Sequence, residues 1–582
     1  MEIKKLNIEI KRYPAGVTLQ HEQELIKHGI NPWVARALLL RSVIDPQIAL
    51  SKYKIKHYST LKGMKSIAFN LANAIENQDK ITIVADYDCD GATSCAIGLT
   101  GLQKMGANID FVVPNRFEHG YGLSPKVIDM LIETKGKPVW ILTVDNGIAS
   151  HEGVDYANKQ GIKVLVTDHH LPVTGKENPK AVAIVNPNQA GDTSGLGNMA
   201  GCGVIYYTLA AVREELSNRG YFTTENPAPN LAEWLDLVAL GTIADVVKLD
   251  DNNRWLVRQG LNRIKQGKVR DGMRALFCIA GKDIAEATSQ DFGFALGPRL
   301  NAAGRLKDMT VGIRCLVSEN YDEALELAKQ LDELNIERKT IEKDMREIAW
   351  QTIDVEMQNN NLTKVVYGKD FHEGVIGIVA GRIKENTNCP TIVFADAEEE
   401  GCVKGSGRSV PTVHLRDALD IVYKANPDIF KGFGGHAMAA GLTIKKEYLQ
   451  EFKKLFEEAV NGILDGKPYQ RIIEVDGDLR ASDISINTAL IINNEVWGQG
   501  FLEPIWYGDF HIVDAKMMGK EEDHIKLKVM KDGQYFDAVQ FFNKKLPVVG
   551  ETITLIYRIG VNDFRGQVTP QIMIIDKTEY VD

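Results

Sequence analysis

The sequence predicts an α/β protein built from a parallel-sheet domain, a long connecting helix, a smaller α/β domain and a C-terminal β-barrel. Three observations carry this expectation. Residues 81–188 repeat one unit, an apolar run, a polar turn and an amphipathic stretch, which is the pattern of parallel strands buried on both faces by crossover helices. Residues 321–358 are highly charged, with apolar positions recurring every three or four residues, the mark of a long amphipathic helix. From about residue 470 the texture changes to short alternating runs separated by turn residues, as in a small barrel.

The buried runs are ITIVAD (81–86), IDFVVPN (109–115), VWILTVDNG (139–147), KVLVTD (163–168) and AVAIVNP (181–187), with stretches such as ATSCAIGLTGLQKMG and KVIDMLIETK between them. Residues 203–218 and 231–246 read as helices, and helical character continues to about residue 320. In the charged segment Ala324, Leu327, Leu331, Leu334, Ile341, Met345 and Ile348 share one face of a partly exposed helix. A second α/β unit opens on TKVVYGKD, passes through a helix near 375–386 and reaches PTIVFAD. The barrel strands are drawn from HIKLKVMKDG, YFDAVQFF, ETITLIYRIG and QVTPQIMIID. The implied boundaries are an N-terminal segment 1–50, a catalytic domain with a helical extension 51–320, the connecting helix 321–358, the second α/β domain 359–465 and the barrel 466–582. No role attaches to residues 1–50.

At 582 residues the chain exceeds a single hydrophobic core, and its length suits roughly three or four domains. Its 44% hydrophobic and 25% charged content is that of a globular protein, neither disordered nor fibrous. No apolar run approaches the ~18 residues of a membrane span, and MEIKKLNIEIKRYP does not read as a signal peptide. No membrane partner is expected. Seven scattered cysteines without a CxxC pair argue against a disulfide framework or a zinc site and point to a reducing compartment, the cytoplasm by default. A net charge of −10 counts against a generic basic nucleic-acid binder while leaving room for a local basic groove.

Chemistry concentrates at the ends of the apolar runs. The first ends in Asp86-Tyr87-Asp88-Cys89-Asp90-Gly91. Three carboxylates just past a buried strand are costly unless something positive neutralises them. A solvated acidic turn is the plain alternative, and an EF-hand is the obvious confounder. The latter needs Glu at its twelfth position, where this chain has Ile97, and a preceding helix instead of a strand. The third run ends in Val144-Asp145-Asn146-Gly147, the fourth in Thr167-Asp168-His169-His170, and the helix over 231–246 closes on Asp245. Converging Asp and His ligands without Cys suit Mn²⁺ or Mg²⁺, with imidazole favouring Mn²⁺. The carboxylates suffice for two ions bridged by one Asp, roughly 3.5–4 Å apart, the arrangement that serves in-line displacement at phosphorus. A phosphoester or phosphoanhydride is the natural substrate.

The second half adds positive charge. Gly297-Pro298-Arg299 through Gly304-Arg305 places two arginines in a small-residue loop, and Gly405-Ser406-Gly407-Arg408-Ser409 offers amides, hydroxyls and a guanidinium in one turn. Gly434-Gly435-His436 is expected as a backbone loop opening a helix, an anion cradle. Together they suggest a phosphate-binding domain facing the metal site across the long helix.

These residues strongly resemble the DHH phosphoesterase family: DYDCDG (86–91), VDNG (144–147), DHH (168–170) and ALGTIADVV (239–247), followed by the GSGRS and GGHAMAAG of the DHH-associated domain. Within the family the resemblance is nearest to the branch of single-strand-specific 5′→3′ DNA exonucleases, through LVALGTIADVVKLDDNNR (237–254), LGPRLNAAGRL (296–306), HEGVIGIVAGR (372–382) and a terminal OB-fold. It runs from about residue 50 to the end. It implies that Asp86, Asp88, Asp90, Asp145, His169 and Asp245 hold Mn²⁺ or Mg²⁺, two ions in all, with Asp145 bridging. By the same resemblance His170 contacts the scissile phosphate, rather than or besides a metal, Asp168 orients a histidine and His436 touches the nucleotide near the cut. Arg116, with Arg299 or Arg305, Ser406 and Arg408, would hold the 5′ end or neighbouring phosphates. The implied activity is hydrolysis of phosphodiester bonds in single-stranded DNA from the 5′ end, releasing mononucleotides, in recombination and repair. Single-stranded DNA is the implied partner, with a single-strand-binding protein and a helicase as candidates. On the barrel Lys526, Lys528, Arg565 and Phe564 are candidates for backbone contact and stacking. Two alternatives stay open: a DHH phosphodiesterase acting on short oligonucleotides or cyclic dinucleotides, and a non-catalytic DNA-binding relative.

Overall fold

The computed structural model describes residues 2–4, 7–50, 52–53, 55–115, 119–120, 122–356, 361–519, 522–541, 543–564 and 567–581. They divide into two compact units, one comprising Met1–Gly304, Asp308–Leu331 and Ile472–Asp582, the other Arg305–Lys307 and Asp332–Arg471.

All five apolar runs of the first unit form strands of one sheet: β1 (Ile81–Ala85), β2 (Ile109–Val112), β3 (Trp140–Val144), β4 (Lys163–Thr167) and β5 (Ala183–Val185). Every neighbouring pair is parallel, in the order β2-β1-β3-β4-β5. The order reverses between β1 and β3, and the crevice at their carboxyl ends is where such sheets bind ligands. All residues of β1 and β3 are buried, as their unbroken apolar character requires. Between β1 and β2 runs α1 (Cys89–Lys104), also buried over most of its length. Two more buried helices follow, α2 (Gly201–Asn218) and α3 (Leu235–Ala244).

The segment expected as an arginine-bearing loop is instead α4 (Gly297–Leu306), entered through a π-helical turn at Phe292–Leu296. Its small residues serve close packing and not turning. A Cβ on Gly304 would lie 1.7 Å from the carbonyl oxygen of Tyr87, so only glycine lets this helix rest on the DYDCDG turn.

A single helix, α5 (Tyr321–Glu356), carries the chain from the first unit into the second. Its later part is no free spacer. Met345, Ala349 and Ile353 are buried against Phe371, Val375, Ile376 and Val379. The second unit holds β6 (Lys364–Tyr367), α6 (Ile376–Thr387), β7 (Thr391–Asp396), β8 (Cys402–Arg408), β9 (Phe430–Gly435) and β10 (Ala439–Lys445). Its sheet order is β9-β10-β8-β7-β6, with β6 and β7 parallel and the rest antiparallel. Two expectations are corrected here. GSGRS is a central strand and not a turn: its glycines are the positions on which Phe394, Leu442 and Leu415 pack, where added Cβ atoms would come within 2.5–2.8 Å. GGHAMAAG does not open a helix, because β9 turns back on β10 as a hairpin with the amide of His436 bonded to the carbonyl of Ala439 at 2.8 Å.

The C-terminal strands β11 (Trp506–Met518), β12 (His524–Lys531), β13 (Gln534–Gln540), β14 (Thr552–Phe564) and β15 (Gln567–Lys577) close on themselves through the β11–β14 pairing. This is the expected barrel. The segment leading into it is held to the helical part of the same unit: Arg254 and Arg258 both reach Glu495, and Ser289 donates to the Trp497 carbonyl at 2.8 Å.

Residues 1–50 join the C-terminal part of the same unit. Strand Ile8–Ile10 pairs in parallel with Ile473–Val475, and Glu2–Lys4 pairs antiparallel with Glu579–Val581. The tie is Asp476. Its carboxylate, 3% exposed, accepts from Arg41 at 2.6 Å, from Lys11 at 3.4 Å and from the Ile505 amide at 3.0 Å. Breaking a buried ion pair by removing one partner strands the other charge. Asp476→Ala should therefore destabilise the first unit by about 3 kcal/mol, read as a lowered urea midpoint. An unchanged midpoint would mean that Arg41 and Lys11 find other partners.

Candidate metal centre

The carboxyl end of the β1–β3 pair brings together every residue that the sequence assigns to a metal. Asp86 follows β1 directly and is 4% exposed. Asp88 caps the N-terminus of α1, its Oδ1 accepting the Gly91 amide at 3.0 Å. Asp90 lies in the first turn of that helix, 1% exposed, and its carboxylate accepts the amides of Gly201 at 2.6 Å and Cys202 at 3.0 Å. Asp90 thus meets the positive ends of two helices, α1 and α2. Asp145 follows β3 with φ of 61°, a left-handed turn that aspartate tolerates. Asp245 ends α3. His169 and His170 follow β4.

Three ligand-sized groupings overlap here: Asp86, Asp88 and Asp145; Asp90, His169 and Asp245; Asp145, His169 and His170. The His169 Nε2 lies 3.2 Å from Asp145 Oδ1, 3.4 Å from Asp245 Oδ2 and 4.0 Å from Asp90 Oδ2. Both His169 Nε2 and Asp145 Oδ1 are buried with no hydrogen-bond partner. Buried polar atoms are normally satisfied, and a divalent cation would satisfy both. The donor set of carboxylates and one imidazole fits Mn²⁺ or Mg²⁺. Asp145 belongs to two of the groupings and is placed to bridge. A Cβ on Gly201 would lie 2.5 Å from Asp145 Oδ1, so glycine is what lets α2 approach this carboxylate.

The electrostatics agree. Burial, then the charge of Asp88, raises the Asp86 carboxyl well above its ordinary range, and burial with Asp90 and Asp88 does the same to Asp145. Burial with Asp90 raises Asp88. Asp245 is pushed up to about 9 by burial, Asp90 and Asp88. The same mutual repulsion would favour a bound divalent cation, whose binding requires deprotonated ligands. Asp168 behaves differently. Burial alone would raise it, yet the hydrogen bond and charge of His170, with the Ile148 amide, hold it below the usual carboxylate range. It accepts from His170 Nδ1 at 2.8 Å, from the His169 amide at 2.7 Å and from the Ile148 amide at 2.9 Å. His170, which burial would depress, is raised to about 9 by this partner in the metal-free site. Burial lowers His169, which suits a neutral ligand.

The remaining expected residues distribute as follows. Arg299, in the first unit, turns its Nη1 back to the Ala295 carbonyl at 2.7 Å. Arg305, in the second unit, donates to the Gly374 carbonyl at 3.1 Å. Ser406 and Arg408 are joined at 3.2 Å and face the first turn of α6, where a Cβ on Gly377 would lie 2.9 Å from Ser406 Oγ and 3.0 Å from an Arg408 Nη. A hydroxyl, a guanidinium and a helix N-terminus make an anion cradle within the second unit. The exposed His436 stands at the same end of that sheet, on the hairpin whose Ala439 pairs with Arg408. Arg116 and Arg565 lie outside the described residues, as does the side chain of Phe564. Lys526 is paired with Asp537 at 3.0 Å, and Lys528 lies 5.5 Å over the exposed Tyr535 ring. Sequence reasoning missed Asn301, whose Oδ1 accepts the Cys89 amide at 2.8 Å and so braces the carboxylate turn. A lone asparagine among small helical residues was its only signal.

Known proteins share this arrangement. The model of the DHH family N-terminal domain matches residues 80–242, that of the DHHA1 domain 359–462 and that of the RecJ OB domain 475–576. The single-stranded-DNA-specific exonuclease RecJ of Escherichia coli K12 is 42% identical over 581 residues, 98% of this chain and 99% of that protein. RecJ of Haemophilus influenzae is 42% identical over 534 residues, 90% of this chain and 91% of that one. Among solved structures, RecJ of Thermus thermophilus in complex with Mn²⁺ superposes with a TM-score of 0.81 at 25% identity, covering 99% of this chain and 80% of that one. The fold and the site define a DHH-type metal-dependent phosphoesterase. The chain belongs to the RecJ family of single-stranded-DNA-specific exonucleases.

The raised carboxyls fix a pH dependence. For Asp245, ordinary value 3.8 and folded value about 9, the folded state binds the proton more tightly. Its contribution is present below 3.8 and lost as pH rises through about 9. His170 acts in the same direction between 6.5 and about 9. The metal-free protein should lose thermal stability steadily from about pH 5 to about pH 9, and Mn²⁺ or Mg²⁺ should restore more of it at the alkaline end. Calorimetric melts with and without a chelator would show this; a chelated profile that is flat or rises with pH would contradict it.

Proposed function

We propose that this protein degrades single-stranded DNA from its 5′ end, releasing mononucleotides, with two divalent ions held by Asp86, Asp88, Asp90, Asp145, His169 and Asp245. The carrying observation is the pair of buried, unpartnered atoms His169 Nε2 and Asp145 Oδ1, 3.2 Å apart within a ring of carboxylates. No ligand of the set is displaced or replaced, which weighs against a non-catalytic relative. The terminal barrel, matched by the RecJ OB domain over residues 475–576, weighs against a purely short-substrate phosphodiesterase.

Two bound ions would supply an activated water and a clamp on the attacking and leaving oxygens of an in-line displacement. The protein's own groups do the rest. Asp145 belongs to two of the three ligand groupings, one with Asp86 and Asp88 and one with His169 and His170, and its Oδ1 lies 3.2 Å from His169 Nε2, so it is placed to link them. His170, hydrogen-bonded through Nδ1 to Asp168 at 2.8 Å, would offer its imidazole to the charge that develops on the scissile phosphate. Ser406, Arg408 and the first turn of α6 receive a terminal phosphate, with Arg116, Arg299 and Arg305 on neighbouring phosphates, and His436 contacts the nucleotide at the cut. Capture of the chain end is what makes such an enzyme an exonuclease and sets its polarity. The setting is DNA recombination and repair in the cytoplasm, with a single-strand-binding protein and a helicase as candidate partners. Among the described residues no helix is long and apolar enough to cross a membrane.

The deciding experiment offers a 3′-labelled single strand and the corresponding duplex with Mn²⁺ or Mg²⁺. The wild type should release mononucleotides from the 5′ end of the single strand alone. Asp145→Ala should lower kcat by at least about 10³-fold, the scale of several kcal/mol of charge stabilisation. Activity confined to dinucleotides, or undiminished in the variant, would sink the proposal. Arg408→Ala should erase any preference for a 5′-phosphate over a 5′-hydroxyl end while the melting temperature stays close to wild type. A preference that survives in this variant would remove Arg408 from end recognition.

A further inference from the structure

The turn that follows β5 carries Asn186-Pro187-Asn188, to which no role is yet attached. The backbone ladder between β4 and β5 runs out here: Thr167 pairs with Val185, and the Asp168 amide donates to the Val185 carbonyl at 3.1 Å. The next two carbonyls, those of His169 and His170, are met by side chains instead. The fully buried Asn186 donates its carboxamide to the His170 carbonyl at 2.9 Å, and Asn188 donates to the His169 carbonyl at 2.6 Å. Asn186 Oδ1 in turn accepts the Asn188 amide at 2.7 Å, which fixes the two side chains relative to each other.

Asn188 does more than finish a strand. Its second carboxamide hydrogen goes to the Gly197 carbonyl at 3.1 Å, and the close fit is enforced because a Cβ on Gly197 would lie 2.8 Å from Asn188 Oδ1. Gly197 begins the short link into α2, and the first amides of α2, Gly201 and Cys202, are those that grip Asp90. One carboxamide therefore ties the backbone of His169 to the segment that holds Asp90. These two residues share a ligand grouping with Asp245, with His169 Nε2 4.0 Å from Asp90 Oδ2.

We infer that Asn188, supported by Asn186, is a positioning residue for the metal centre, setting the separation of His169 and Asp90 through the carbonyls of His169 and Gly197. A turn-capping asparagine would need only one of these acceptors. Using both hydrogens on two different segments, each leading to a ligand, couples the segments. The inference rests on the reading that Asp90 and His169 hold a divalent ion.

The test is Mn²⁺ binding to the full-length protein by titration calorimetry, with the electron paramagnetic resonance spectrum of the bound ion as a second readout and a melt of the metal-free protein as a control. Asn188→Ala should weaken Mn²⁺ binding by about 10–100-fold, the usual effect of losing a group that orients a ligand, and should broaden the spectrum. Asn188→Ser, able to keep one of the two bonds, should fall between that variant and the wild type, and it serves alone if Asn188→Ala does not fold. Asn178→Ala, which removes a neighbouring carboxamide bonded to Gln189, should leave binding unchanged. Unaltered affinity and spectrum in folded Asn188 variants would overturn the inference, even if their melting temperatures fall. A wild type that binds no Mn²⁺, or binds it independently of Asp145, would instead overturn the metal reading on which it stands.

Discussion

Asp86, Asp88, Asp90, Asp145 and Asp245 put five carboxyl groups where little water reaches. At such separations in a poorly polarisable interior, like charges repel by several kcal/mol per pair, and no arrangement of ordinary packing relieves that. Each partial remedy visible in the structure is a backbone or helix-end device. Asp88 caps α1, and Asp90 takes two amides from the start of α2. Asp86 accepts the Tyr87 amide at 2.7 Å. Even so, burial and mutual repulsion push the carboxyls of Asp86, Asp145 and Asp245 well above their ordinary range in the absence of a cation. Metal affinity and the instability of the empty site are then two sides of one repulsion.

The rest of the first unit can be understood as the scaffold this repulsion requires. The sheet order reverses between the two strands that deliver Asp86 and Asp145, so the crevice opens where the charges collect. Helices α1, α2 and α3 are buried nearly all round and hold their ends rigidly. Helix α4 presses its glycine against the carboxylate turn while Asn301 supports the Cys89 amide. Asp168 and His170 differ from their neighbours because they neutralise each other. That pair is held by a 2.8 Å contact within the protein itself.

Much of this was legible in the sequence. Five apolar runs became five parallel strands because strands buried on both faces cannot hide their composition. The candidate ligands could be picked out because Asp and His at the ends of apolar elements have few other uses, and the fold brings them to one place. Glycine-rich stretches misled. GSGRS and GPRLNAAGR suggest loops, but glycines in them let neighbours pack closely on a strand and a helix, and GGHAMAAG is a hairpin whose Gly435 turns with φ of 148°. Glycine reports close approach without saying what approaches. The contribution of residues 1–50 was invisible for another reason, since its partners lie more than four hundred residues away and a parallel strand pair leaves no local pattern. Asn186, Asn188 and Asn301 were equally hidden, because an asparagine that serves backbone carbonyls or amides looks like any turn residue.

The parallel pairing of Ile8–Ile10 with Ile473–Val475 has a consequence for how the molecule is made. Contacts such as Lys11 to Asp476 span 465 residues. At about 5–20 residues per second a ribosome needs roughly 20–90 s to supply that interval. Throughout it the first strand has neither neighbour nor cover, while the parallel sheet behind it has all its strands and can fold. Synthesis order therefore divides this unit in time although it is one body in space: the metal-bearing half precedes, and the barrel arrives last to collect the beginning of the chain. During that interval an unpaired edge stands open to association, a liability set by topology and not by any single residue.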